Sequence, residues 1–186
     1  MNHIYQNESN FKQLFKPILP QEIQDSVFTL VGESFPVVTA GNKESYNSMT
    51  ASGGGMGILL KKPVTLCLFP IKRYTLNLIK KEQKYTLSYF PDEYRKQVMF
   101  LGSKSGQDSD KMKEVALTTV ELPSGNISFK EARLIIECKL MQITTPSIDD
   151  FYTQEAKDYL NEAYTNEDEI RQYVFGEIIR VWLKQS

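Results

Sequence analysis

Apolar positions recur along this chain in two rhythms, and strand-like runs outnumber helical ones. Lys84 to Phe90 alternates, with Tyr85, Leu87 and Tyr89 on one face, which predicts a strand. Pro63 to Phe69 is apolar on both faces, as an interior strand of a barrel or sandwich is. Two longer runs, Ala132 to Ile143 and Tyr173 to Leu183, predict long strands. Phe35 to Ala40 and Asn47 to Ala51 flank the turn signal Gly41-Asn42-Lys43 and predict a hairpin. Gly53 to Gly57 carries a high backbone-entropy cost in any regular element, so a loop is expected there. Helical spacing is found at Ile23, Val27, Leu30 and Val31, predicting a helix from Gln21 that stops at Gly32. It recurs in Thr75 to Gln83, with Leu76 and Ile79 inward, and in Asp92 to Leu101, closed by Gly102 as a C-cap. Ser147-Ile148-Asp149-Asp150 fits a capping box that starts a helix through Ala156, Leu160 and Ala163. Residues 1–20, with Pro17 and Pro20, read as an extended arm.

This order is not a regular βαβ alternation. It predicts a mainly β protein: a closed or partly closed antiparallel barrel with short helical insertions. No repeat or linker divides the 186 residues, so a single domain over 1–186 is expected. A net charge of −1 offers no excess of cations for a polyanion, and nucleic acid is not expected as a partner. No apolar run approaches a membrane span, and the first residues lack the pattern of a signal peptide. Cys67 and Cys138 both sit inside apolar runs and read as reduced core thiols. The single histidine, His3, lies in the terminal arm, so a histidine metal site or a Ser/Cys–His nucleophile is not expected.

Candidate chemistry lies on the connections between strands. Asn47-Ser48-Met49-Thr50-Ala51-Ser52-Gly53 combines hydroxyls with glycine, whose backbone allows close approach of a ligand. Arg73-Tyr74-Thr75 stands where a strand gives way to a helix, whose N-terminal N–H groups and dipole attract phosphate. Arg73 adds a guanidinium fork suited to a phosphate dianion. Ser105, Gly106 and Lys111 lie in a polar, turn-rich segment. Each motif also has a plain structural reading: a surface turn, a helix cap and a solvated loop.

Taken in order, these segments resemble the flavin reductase-like family of FMN-binding split barrels. The likeness rests on Val37-Val38-Thr39-Ala40-Gly41 with Asn47-x-Met49-Thr50-Ala51-Ser52, on Pro63-Val64 with Arg73-Tyr74-Thr75, and on Ser105-Gly106-x-Asp108-x-Asp110-Lys111. Leu134-Ile135-Ile136-Glu137-Cys138 and Gly176-Glu177-Ile178 complete it. The resemblance implies a split β-barrel that dimerises and holds FMN at the subunit interface. It implies ring contacts from Met49, Thr50, Ala51 and Ser52, phosphate contacts from Arg73 and Thr75, and Lys111 near the flavin. Asn47, Gly53, Tyr74, Ser105 and Gly106 complete the implied cofactor-binding set. An interior packed with Leu66, Leu68, Leu87 and Ile136 leaves the ring outside, to be covered by a second subunit. The activity implied is that of a cytoplasmic oxidoreductase passing electrons from NAD(P)H to flavin, with small molecules as donor and acceptor. The alternative is an FMN-binding electron-relay or sensing protein without turnover. Many relatives carry a histidine shortly before the final Gly-Glu. Here Arg171-Gln172-Tyr173-Val174-Phe175 stands there, and Tyr173 is the candidate for contact with nicotinamide.

Overall fold

The structure is a computed structural model, and it describes residues 8–103, 111–164 and 166–185. The first elements are α1 (Glu8–Leu14), β1 (Phe15–Ile18) and α2 (Val27–Thr29). A hairpin follows, β2 (Val37–Gly41) and β3 (Tyr46–Thr50), and then a second, β4 (Gly54–Leu59) and β5 (Lys62–Pro70). Next come α3 (Tyr74–Glu82), β6 (Lys84–Tyr89), α4 (Arg95–Ser103) and α5 (Lys111–Glu114). The chain closes with β7 (Thr119–Glu121), β8 (Ile127–Phe129), β9 (Leu134–Thr144), α6 (Gln154–Ala163) and β10 (Arg171–Lys184). Eight strands form one sheet in the order β3-β2-β6-β9-β10-β5-β4, with β1 also paired to β10. Every pairing in it is antiparallel.

The long strand β10 holds this sheet together. Its first half pairs with β5 and its last residues with β1, while β9 runs along its other edge. Register shifts at Phe175/Gly176 and Ile178/Arg180 bend it. Gly176 is required at the first bend: a Cβ there would lie 2.2 Å from the Tyr85 hydroxyl.

Alternation in β6 and β9 separates two cores. Tyr85, Leu87, Leu134, Ile136 and Cys138 point to one side, where Val38, Met49, Phe69, Val174 and the α3 residues Leu76 and Ile79 join them. Ile135 points to the other side, with Phe11, Val98, Leu101, Phe129 and Trp182. The polar face of β6 is also buried, because β7 and β8 cover it. Thr86 donates to the Ile127 carbonyl at 2.7 Å, and the Ser88 and Ser128 hydroxyls pair at 2.7 Å. Both cysteines are buried and free, as expected. Burial pushes the Cys67 thiol far up, and the Cys138 thiol up to about 12.

Four expectations need correction. Gly54 to Gly57 is not a loop but the start of edge strand β4, paired with β5 from Gly54 opposite Cys67 to Leu59 opposite Lys62. The neighbouring strand supplies the ladder, and glycine is needed for the close approach: a Cβ on Gly54 would sit 2.0 Å from the Leu66 carbonyl oxygen. The two-residue turn is Leu60-Lys61, both at positive φ; it lacks the Asn-Gly signature that marks such hairpins. Residues 8–18 are not an extended arm but α1 followed by β1. No helix runs from Gln21 to Gly32. A 3-10 turn at Pro20–Glu22, the three-residue α2 and a π-turn at Leu30–Ser34 replace it. Asp25 is drawn into a two-pronged ion pair with Arg133 at 2.8 and 3.0 Å, and Ser26 caps α2, so the stripe is broken there. Finally, Leu66 and Leu68 do not face the barrel interior; Cys67 and Phe69 do.

Two smaller differences follow from the same packing. Gly102 lies inside α4 rather than after it, packed on Thr50 of β3. The Ser147 capping box forms, but it caps only a 3-10 turn at Ile148–Asp150, and α6 starts at its own N-cap, Thr153.

Candidate active site

Arg73 is the N-cap of α3, and the backbone N–H groups of Tyr74 and Thr75 open its first turn. Helix α3 packs across β2 and β3. That crossing brings Thr75 to Asn47 of β3: the Asn47 amide donates to the Thr75 hydroxyl at 2.8 Å, both side chains being buried. Thr50, three residues on, donates to the Val98 carbonyl of α4. Strand β3 is thereby tied to the start of α3 and to the middle of α4.

Lys111 enters from α5. Its ammonium is buried and donates to the Leu101 carbonyl at 2.9 Å. Burial, and after it the charge of Arg73, lowers the Lys111 pKa from 10.5 to about 8. Two cations therefore act on one another beside a helix N-terminus. Among the described residues Arg73 makes no ion pair. Donors and field of this kind suit a dianion.

The sign of the Lys111 shift sets a pH dependence. In the ligand-free protein its proton opposes folding, fully below about pH 8, and that cost fades as pH rises toward 10.5. A bound phosphate favours the ammonium and raises the pKa again. FMN affinity is therefore expected to fall as pH rises above about 8, by up to about tenfold per unit. Riboflavin, without phosphate, should show no such fall. Parallel titrations by flavin fluorescence quenching check this; equal declines would remove Lys111 from the phosphate site.

The remaining candidates divide into three groups. Met49 and Ala51 turn their side chains to the core, and so offer a ligand only their backbone, while Tyr74 is partly buried against that core. Ser52 and Gly53 are exposed and line a cavity of about 510 Å³ with Leu68 and Tyr173. Ser105 and Gly106 lie outside the described residues. The cavity wall also contains Phe151, Tyr159, Tyr164 and Arg171, which sequence reasoning missed. Phe151, Tyr159 and Tyr164 carry no distinguishing pattern in the sequence, and the α6 segment shows only its inward stripe. A larger cavity of about 620 Å³ holds Arg95 and Arg133, but both are engaged, one with the Glu33 carbonyl and the Phe35 ring, the other with Asp25. Among the described residues no group of three or more His, Cys, Asp or Glu is able to hold a metal.

The donors fit FMN. A phosphate suits Arg73, Thr75 and Lys111, and the Thr50–Gly53 backbone leads from that end toward the cavity. The solved structures most similar to this chain include an FMN-binding protein from Thermus thermophilus, with 20% sequence identity over 90% of this chain and 77% of that one, at a TM-score of 0.63. The flavoredoxin of Desulfovibrio vulgaris (Miyazaki F) has 18% identity over 89% and 76%, at a TM-score of 0.61. An FMN-binding domain of a flavin reductases-like enzyme from Shewanella baltica OS155 has 13% identity over 91% and 76%, at 0.63. No curated protein matches the chain in sequence. The family model of the flavin reductase like domain matches residues 31–186. With the antiparallel barrel strands and this family match, which covers β2 through β10, the chain is a split β-barrel and belongs to the flavin reductase-like family.

Proposed function

We propose that this protein is an FMN-binding oxidoreductase that passes electrons from NAD(P)H to flavin. The observation that carries the proposal is Arg73 at the N-cap of α3, a helix start that the Asn47–Thr75 hydrogen bond ties to β3, the strand that leads to the cavity at Ser52 and Gly53. Bound there, FMN supplies hydride and single-electron chemistry that no side chain offers. The chain's own part is to hold the phosphate with Arg73, Thr75 and Lys111. The Thr50–Gly53 backbone meets the ring, and Tyr173 lies beside the nicotinamide.

A second copy of the chain is the proposed cover for the ring, because the barrel interior is filled by Leu87, Ile136 and their neighbours. Phe28, Ile58 and Leu60 are exposed on α2 and at the β4–β5 turn, and they supply an apolar contact face. Light scattering showing a monomer that still holds FMN tightly would overturn this. The two free thiols suit the cytoplasm, the proposed location.

The test is anaerobic addition of NADH and of NADPH to FMN-loaded protein, with the visible flavin absorbance followed in time. Bleaching by at least one nucleotide is expected. No imidazole lines the cavity, and imidazole is the side chain whose ordinary pKa falls in the neutral range. The rate at saturating FMN should therefore be nearly flat from about pH 6 to 8. Failure of both nucleotides would leave an FMN-binding protein without this turnover.

A further inference from the structure

Strands β9 and β10 are antiparallel neighbours, with Thr144 opposite Tyr173. A two-residue turn suffices to join such a pair. Instead residues 145–170 intervene and carry α6. Of the α6 side chains only Leu160 is fully buried, so the helix adds little to either core. What the excursion does build is a wall. Phe151, Tyr159 and Tyr164 close one side of the cavity whose other side is Arg171, Tyr173 and the Ser52–Gly53 backbone.

Arg171 is the cation of this cavity. It is half-buried and, among the described residues, makes no ion pair, although Lys62 and Lys72 each reach a carboxylate, Glu177 and Asp168. At the base of the excursion, Tyr164 lines the cavity together with Arg171 at the start of β10. Glu155 also lines the cavity but is exposed and forms no pair with Arg171.

We propose that this cavity binds a planar aromatic carboxylate, held by Arg171 and enclosed by the aromatic side chains of the excursion. Four aromatic side chains favour a flat ring, and the volume lies in the range of small-ligand pockets. A single guanidinium matches one carboxylate through two parallel hydrogen bonds. A dianion would suit the paired cations Arg73 and Lys111 better, and Glu155 at the rim disfavours a second negative charge. The proposal rests on the function given above only in setting the flavin beside Ser52 and Gly53.

Calorimetric titration of FMN-free and FMN-loaded protein with 4-hydroxybenzoate and with its neutral isostere 4-hydroxybenzamide tests it. The acid is expected to bind at least about tenfold more tightly than the amide. Arg171→Gln should abolish that preference while FMN uptake persists. Tyr159→Ala, at an exposed position, should weaken acid and amide alike. Equal binding of the two probes, binding of neither, or a preference that survives Arg171→Gln overturns the proposal. Should Arg171→Gln not fold, the acid–amide comparison and Tyr159→Ala still decide it. Loss of FMN binding by the wild-type protein would instead count against the flavin reading, and the FMN-free titration separates the two failures.

Discussion

Arg73→Ala is expected to weaken FMN binding about 10- to 100-fold and to leave riboflavin binding almost unchanged. A hydrogen bond to a charged group contributes about 1.5–3 kcal/mol, and about 1.4 kcal/mol is a factor of ten in affinity. Arg73 is suited to this comparison because it has no ion pair to lose among the described residues and its side chain caps nothing in α3. Its removal also relieves Lys111 of a neighbouring charge, so the Lys111 pKa should rise from about 8 in the ligand-free variant. Fluorescence titration with the two flavins measures the first effect. Equal losses for FMN and riboflavin would assign Arg73 a structural role instead.

The largest expected effect on stability comes from Glu137→Leu. Glu137 is fully buried on β9, between the sheet and the β7–β8 hairpin. One oxygen accepts from the Trp182 indole at 2.7 Å; the other accepts from the Asn126 amide at 2.7 Å and from the Ser124 hydroxyl. Leucine would leave two buried donors, the Trp182 indole and the Asn126 amide, without an acceptor, each at about 1–3 kcal/mol, for a total of about 2–6 kcal/mol, while the exposed Ser124 hydroxyl turns to water. Against a typical domain stability of about 5–15 kcal/mol, that is enough to bring the protein near unfolding. Glu137→Gln keeps one acceptor oxygen and should fall between. Urea midpoints check the series, and a Glu137→Leu variant within about 1 kcal/mol of the parent would show that the network is dispensable.

The candidate residues were legible because their chemistry is carried by residue type. Arg73 before a helix and the hydroxyl-rich Asn47–Ser52 strand stand out in the chain. What could not be read was which of them meet. Asn47 and Thr75 join because α3 crosses β3, and Lys111 reaches the same place only because α5 is packed under the end of α4. The cavity wall was hidden for another reason. Tyr159, Tyr164 and Arg171 look like ordinary surface and core residues until a long excursion folds back over the start of β10.

The errors in the fold have one cause. Local propensity opposed a strand at Gly54 to Gly57, and helical spacing supported a helix at Gln21 to Gly32. Partners distant in sequence decided both: β5 supplied a ladder for the glycines, and Arg133 took Asp25 out of the helical stripe. The sequence by itself determined β2, β3, β5, β6, β9 and β10, because alternation and apolar runs encode which faces are buried; β1 and the glycine-rich edge strand β4 it did not. It also determined the residue types that suit a phosphorylated flavin. Only the tertiary structure decided the register, the second core beneath β7 and β8, the placing of Lys111 in the field of Arg73, and the aromatic cavity. Each of these depends on contacts between residues far apart in the chain, whose energy no local pattern contains.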